Sequence, residues 1–243
     1  MNIEFIGHPG TGKSRVCDAL SDLLLRQPIE TPVRVFPAVD REPRVKVLGS
    51  KILHASLFLV LRPATAFHFV SLVRTSGQAS RRKGAAKTLN LFSEIGRELR
   101  HRGEISVREQ GVLQAVWSVA LGADSPDTAG LLHSAAAYLP DFVVHVEAER
   151  SELHRRLERR ASGRSRMDGL SAAQREPLLQ KGDLLFSEII AEWQRLDPHH
   201  RYLKIQNPDG SDADALAALV FEALPFAPAA AVGTPTLTWT TGS

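Results

Sequence analysis

Cysteine is all but missing. Cys17 is the only one in 243 residues, so no disulfide can form within the chain, and a reducing, cytoplasmic setting is expected. A secretory leader is not expected either, because Met1-Asn2-Ile3-Glu4 opens the sequence without a basic stretch running into an apolar one. Long apolar runs are also missing. Residues 52–73 come nearest, but Arg62-Pro63 and His68 interrupt them, and no unbroken apolar run of about 18 residues is left to cross a bilayer. That segment is expected to form two short helices on either side of Pro63. No transmembrane segment follows from it, and peripheral membrane contact is not expected. Charge of one sign is not in great excess: the formal net charge is +3 and the pI about 9.2, mostly through arginine. These basic residues do not form an aromatic-interleaved stripe, so nucleic acid is not an expected partner, whereas small anions are. The nine histidines lack metal-ligand spacing, which argues against a zinc site. No internal repeat is visible.

What is there suits one α/β domain with an insert. Hydrophobic residues make up 43% of the chain, enough for a buried core and against disorder as the default. Strand patterns alternate with helical ones. Residues 2–6 read as a buried strand and 13–26 as a helix with Val16, Leu20, Leu23 and Leu24 on one side. After the breaks at Pro28 and Pro32, residues 33–39 read as a second strand. A long, mostly helical stretch follows to residue 103, with turns expected at Gly77, Gly84 and the basic Arg81-Arg82-Lys83. Strands three to five are expected over 104–108, 141–147 and 201–205. Helices are expected over 111–121, up to about Tyr138, over 151–161, 171–196 and 212–224. The alternation predicts a parallel sheet with helices on both faces. Residues 226–243, rich in Ala, Pro, Thr and Gly, are expected to be a disordered tail.

The sharpest signal is Gly7-His8-Pro9-Gly10-Thr11-Gly12-Lys13-Ser14, the pattern G-x-x-x-x-G-K-S set between a predicted strand and a predicted helix. Glycine at 7, 10 and 12 lets the backbone turn tightly and aim its N–H groups inward. The helix beginning near Lys13 turns its positive end to the same point. Lys13 is expected to reach the β- and γ-phosphates of a bound nucleotide, and the Ser14 hydroxyl to ligate Mg²⁺. The loop implies nucleoside triphosphate binding without separating ATPases, GTPases and small-molecule kinases. A guanine-reading Asn-Lys-x-Asp is missing after the fifth strand, where Gln206-Asn207-Pro208-Asp209-Gly210 stands, so ATP is the expected nucleotide.

Further stretches resemble the thymidylate-kinase-like group of P-loop kinases. Ile3-Glu4-Phe5-Ile6-Gly7 is similar to the group's opening strand, and Arg41-Glu42-Pro43 to the Arg-Glu-Pro that follows its second strand. Arg108-Glu109-Gln110-Gly111 stands where the group carries Asp-Arg, here in reversed order, and Arg44 replaces a Gly-Gly. Pro140-Asp141-Phe142-Val143-Val144-His145-Val146, running on to Arg155-Arg156-Leu157-Glu158-Arg159-Arg160, resembles the fourth strand and the arginine-rich lid. The resemblance spans roughly residues 1–225. It implies a five-stranded sheet in the order 2-3-1-4-5, a helical insert over 45–103 forming the acceptor side, and a lid over 150–170.

Several side chains are then candidates. Glu109 ends the third strand and is expected to hold the Mg²⁺ shell with Ser14 or to orient the acceptor; capping of the next helix is the plainer role. Asp40 and Glu42, with Arg41, follow strand two, where they either take a proton from an acceptor hydroxyl or form a solvated charge cluster. Arg108 and Gln114 are expected on the acceptor side, Gln114 reading a polar edge or sitting on an ordinary helix surface. Arg155, Arg159, Arg164 and Arg166 are the lid candidates, since guanidinium forks match the charge on a transferring phosphoryl group. His8 is expected to serve through its main chain, and Cys17 and Trp117 through packing. The expected activity is transfer of the ATP γ-phosphate, with Mg²⁺, to a small-molecule acceptor: a nucleotide, nucleoside, sugar or other metabolite. The alternative is an ATP-binding switch acting through a partner protein. A nucleic-acid end kinase drawing on Arg81-Arg82-Lys83 is a third reading, and a homodimer is compatible with all of them.

Overall fold

The computed structural model describes residues 1–29, 31–36, 44–78, 81–159, 167–208 and 211–225. Five strands form one parallel sheet: β1 (Asn2–Ile6), β2 (Val33–Phe36), β3 (Ile105–Arg108), β4 (Phe142–Glu147) and β5 (Arg201–Gln206). The order across it is β2-β3-β1-β4-β5, as the resemblance implies. The central strand β1 is buried along its whole length, and after Asn2 it reads as apolar except for Glu4. Ile3 pairs with Val107 on one side and Phe142 on the other, fixing the register.

Alternate residues divide between two cores. Ile3, Phe5, Val107, Val144 and Ile205 face α1 (Lys13–Leu25) and α9 (Ala213–Glu222). Ile6 and Val143 face the opposite layer, built from α5 (Val112–Leu121), α6 (Thr128–Ala135) and α8 (Ala172–Leu196). The insert consists of α2 (Arg44–Leu61), α3 (Pro63–Thr75) and α4 (Arg81–Arg100); α4 packs on α5, α3 on α6, and α2 on α4. Helices thus cover both faces, the doubly wound arrangement that leaves a crevice at the carboxyl ends of the strands.

Pro63 divides the insert as expected. It opens α3, and α2 and α3 meet at 114°. One expectation needs correction. Gly84 and Arg81-Arg82-Lys83 mark no turn; they form the first turn of α4. Glycine inside a helix costs only about 1 kcal/mol relative to alanine, and the packing of α4 on α2 outweighs that. The second strand is described only over Val33–Phe36, and residues 37–43, including Asp40, Arg41 and Glu42, lie outside the described residues. So do Arg164, Arg166 and residues 226–243. The lid begins as α7 (Arg150–Arg159). Among the described residues no single helix is long and apolar enough to cross a membrane.

Candidate active site

The glycine-rich loop occupies the turn between β1 and α1. Gly7, Gly10 and Gly12 take φ of 141°, 92° and 89°, a region open to glycine and strained for other residues. Gly12 also has no room: a methyl group there would overlap the Asn207 side-chain amide. Gly12 is the N-cap of α1 and offers no side-chain oxygen, so the first N–H groups of the helix are left for a ligand. The Lys13 ammonium lies across the loop, donating to the carbonyls of Gly7 at 2.7 Å and His8 at 2.8 Å. The Ser14 hydroxyl donates to the Glu109 carboxylate just beyond β3. The structure therefore brings Lys13, Ser14 and Glu109 to one place. A hydroxyl and a carboxylate side by side at a phosphate loop are hard oxygen donors of the kind Mg²⁺ takes alongside phosphate oxygens. The pair fits that ion, and the loop fits a triphosphate.

Behind the loop lies a part the sequence did not disclose. Glu4, fully buried in β1, accepts hydrogen bonds from the N–H groups of Gly111 (3.2 Å), Leu113 (3.1 Å) and Gln114 (2.7 Å). It caps the N-terminus of α5 from outside that helix. Burial still dominates its ionisation and pushes its pKa up to about 7. Gln114, capped in this way, accepts at Oε1 from the Gly7 N–H at 3.1 Å. It supports the loop from behind, which is a different place from an acceptor's polar edge. The available signal was Glu4 itself, the one charge in a buried strand.

The loop is also held from two sides. His8 Nε2 meets Asp183 of α8 at 2.6 Å, and Asp183 also pairs with Arg150 at the start of α7. The His8 ring stands edge-on to Trp117 and Phe186, so its side chain has a definite seat beyond the main-chain role expected. On the other side, Arg156 of α7 reaches the carbonyls of Gly10 and Thr11 at 3.4 Å and those of Asn207 and Pro208 at 3.2 Å. Asn207 Nδ2 donates to the Thr11 carbonyl at 2.6 Å. Glu152 pairs with Arg155 and Arg156, and these contacts, Arg155 first, hold its carboxyl down at about 2.

Between α7 and the turn after β5 opens a cleft of about 350 Å³, walled by Arg15, Arg155, Arg156, Arg159, Asn207 and Pro208. It adjoins Gly12 and suits the base and ribose of a nucleotide whose phosphates enter the loop. Arg155 and Arg159 both line this cleft. The residue of that run best placed to order the loop is Arg156, which sequence alone could not separate from its arginine neighbours.

Arg108 sits apart from this cleft. It is 1% exposed, with its guanidinium 2.9 Å from Glu98, 3.8 Å from Glu94 and 4.4 Å above the Phe36 ring. None of its three nitrogens makes a well-aligned hydrogen bond, although the ion pair with Glu98 is close. The side chain has charge compensation and spare donors. Burial raises the Glu98 pKa to about 7, against the attraction of Arg108. This group stands at the end of β3 beneath α4, on the side of the insert.

No protein-family model matches the chain, and no curated protein matches its sequence. Solved structures do match in shape. A deoxyadenosine kinase from M. mycoides with bound dATP superposes with a TM-score of 0.52 over 92% of this chain and 98% of its own, at 13% identity. The M. mycoides deoxyadenosine kinase with bound dCTP gives a TM-score of 0.47 at 13% identity, over the same shares of the two chains. The chain shares the fold of this deoxyadenosine kinase.

Proposed function

We propose that the protein transfers the γ-phosphate of ATP to a small molecule, with a nucleoside the first acceptor class to test. The observation that carries the reading is the meeting of Lys13, Ser14 and Glu109 at the uncapped start of α1. Phosphoryl transfer asks little covalent chemistry of a protein; it asks for positioning and for positive charge around three oxygens. Lys13 exchanges the Gly7 and His8 carbonyls for phosphate oxygens when the nucleotide enters. Ser14 and Glu109 hold the Mg²⁺, which when bound neutralises charge on the β- and γ-phosphates. Arg156 fixes the loop against the Asn207 turn, and Arg155 and Arg159 bring further positive charge along the rim. Arg108, with donors unfilled beside two carboxylates, is the candidate anchor for a polar acceptor entering from the insert side. Asp40 or Glu42 is the proposed base for the acceptor hydroxyl. The likeness in fold to a deoxyadenosine kinase supports the nucleoside class at this coarse level.

The test follows γ-labelled ATP with Mg²⁺, first with a panel of nucleosides and then with a small-metabolite extract, wild type beside Lys13→Ala. Label should move into a new small species with wild type, and transfer should fall by about three orders of magnitude in Lys13→Ala, the scale set by loss of a transition-state cation. Label recovered only as inorganic phosphate, whatever acceptor is supplied, would sink the transferase reading and leave the ATP-dependent switch.

A further inference from the structure

The insert carries a surface that the proposed reaction does not use. α2 is apolar on two sides. Its inner side, with Ala55 and Phe58 buried, packs on α4 and meets the rings of Phe69, Phe92 and Tyr138. Its outer side carries Val45, Leu48, Ile52 and Leu59 at helical spacing, 84%, 52%, 49% and 46% exposed. The stripe runs into the bend, where Val60 and Phe67 are each 77% exposed on either side of Arg62. Among the described residues, eight of the ten exposed large hydrophobic side chains lie between Val45 and Phe67. Single exposed apolar residues are ordinary on a protein surface, whereas a continuous band is the mark of an interaction face.

Charge is distributed with equal bias. Nine of the chain's 30 lysines and arginines, and none of its 27 aspartates and glutamates, fall between Arg44 and Ser93, so the rest of the chain carries a net −6. Arg62 at the bend and Arg74 at the end of α3 are exposed. Their long stems can follow apolar groups inward while the guanidinium stays at a phosphate-rich boundary. The combination identifies the occupant. A second copy of this chain, paired face to face about a two-fold axis, would set this acid-free segment against itself, like charge on like charge. A leaflet rich in anionic lipid meets both properties, taking the apolar band into the acyl boundary and the arginines into the headgroups. The 114° bend at Pro63 fits helices lying in that boundary rather than a straight helix crossing it.

We propose that α2 and α3 dock the protein on an anionic membrane surface through the Val45–Leu59 stripe and the bend at Arg62. The proposal reverses the expectation drawn from the sequence, and it stands whether or not the chain transfers phosphate.

The full chain is sedimented with vesicles rich in phosphatidylglycerol and, in parallel, with pure phosphatidylcholine vesicles. It should partition onto the first and not the second, and high salt should weaken the binding. Arg62→Ala should lower the partition coefficient about fivefold, the value of one basic side chain at such a surface. Val60→Asp combined with Phe67→Asp should abolish binding, with circular dichroism and thermal melting checking that the variant is folded. If that variant does not fold, Arg62→Ala and the salt dependence still decide. Absence of sedimentation with either vesicle would overturn the proposal, as would equal binding to both. A stable wild-type dimer in light scattering that becomes monomeric in Val60→Asp, without vesicle binding, would also overturn it and assign the face to a second copy.

Discussion

Glu4 carries more of the site's construction than any side chain in the loop itself. It sits in the central strand, contacts no expected ligand position, and orients α5, whose Gln114 then holds Gly7. A carboxyl with a folded pKa raised to about 7, against an ordinary value of 4.5, binds a proton more readily in the folded state. Its contribution to stability is therefore full below about pH 4.5 and is lost as pH rises through 7. The shift corresponds to something on the order of 3 kcal/mol across that window. Thermal melts of wild type and Glu4→Gln between pH 5 and pH 8 test this. The advantage of wild type over the variant should shrink as pH rises, and a difference that does not change with pH would show that Glu4 is not raised.

At the scale of elements, what could be read from the sequence depended on whether local pattern carried the information. β1, the glycine loop and α1 form one continuous stretch, so strand, turn and phosphate site were legible together. The Ser14–Glu109 meeting was legible because β3 is the neighbour of β1, and strand ends lie side by side. α7 was legible as a basic helix, but rotation about its axis was not. Which of Arg155, Arg156 and Arg159 turns toward Gly10 depends on how α7 packs through Leu153 and Leu157, a tertiary fact. The outer stripe of α2 was hidden for the same reason, since an apolar helix does not announce which of its faces is covered. Arg156 ties α7 to two carbonyls of the loop and two of the turn after β5, so Arg156→Ala should act on nucleotide binding. KM for ATP should rise about 10- to 100-fold, the range for hydrogen bonds from a charged donor, with a smaller change in kcat. Arg159→Ala, which removes only an exposed rim charge, should change KM by less than that. Steady-state kinetics of the two variants side by side distinguish ordering of the loop from general attraction of the nucleotide, and equal effects would reject the distinction.

For the molecule as a whole, the loop is the point at which separate layers meet. α5 supports it from one core through Gln114, α8 and α7 reach it through Asp183 and Arg150, and β5 reaches it through Asn207. Every one of these contacts belongs to the folded state, and the unfolded chain has no such site. A ligand bound there must raise global stability, by RT ln(1 + [L]/Kd), which is about 2.7 kcal/mol at a hundredfold excess over Kd. For a chain of this length each kcal/mol moves the midpoint by roughly 2–4 °C, so ATP with Mg²⁺ should raise Tm by roughly 5–10 °C. Chelation of the metal should remove a large part of that shift, because the Glu109 carboxylate beside Ser14 would then repel the phosphates with no cation to offset it. Lys13→Ala should abolish the shift, because it removes the ammonium that bridges the loop carbonyls where the phosphates would enter. An unchanged ATP shift in Lys13→Ala would mean that the nucleotide stabilises the chain from somewhere other than this loop. The cleft by Arg156 would then lose its assignment together with the loop, because it is the neighbouring phosphate site that makes it a nucleotide pocket.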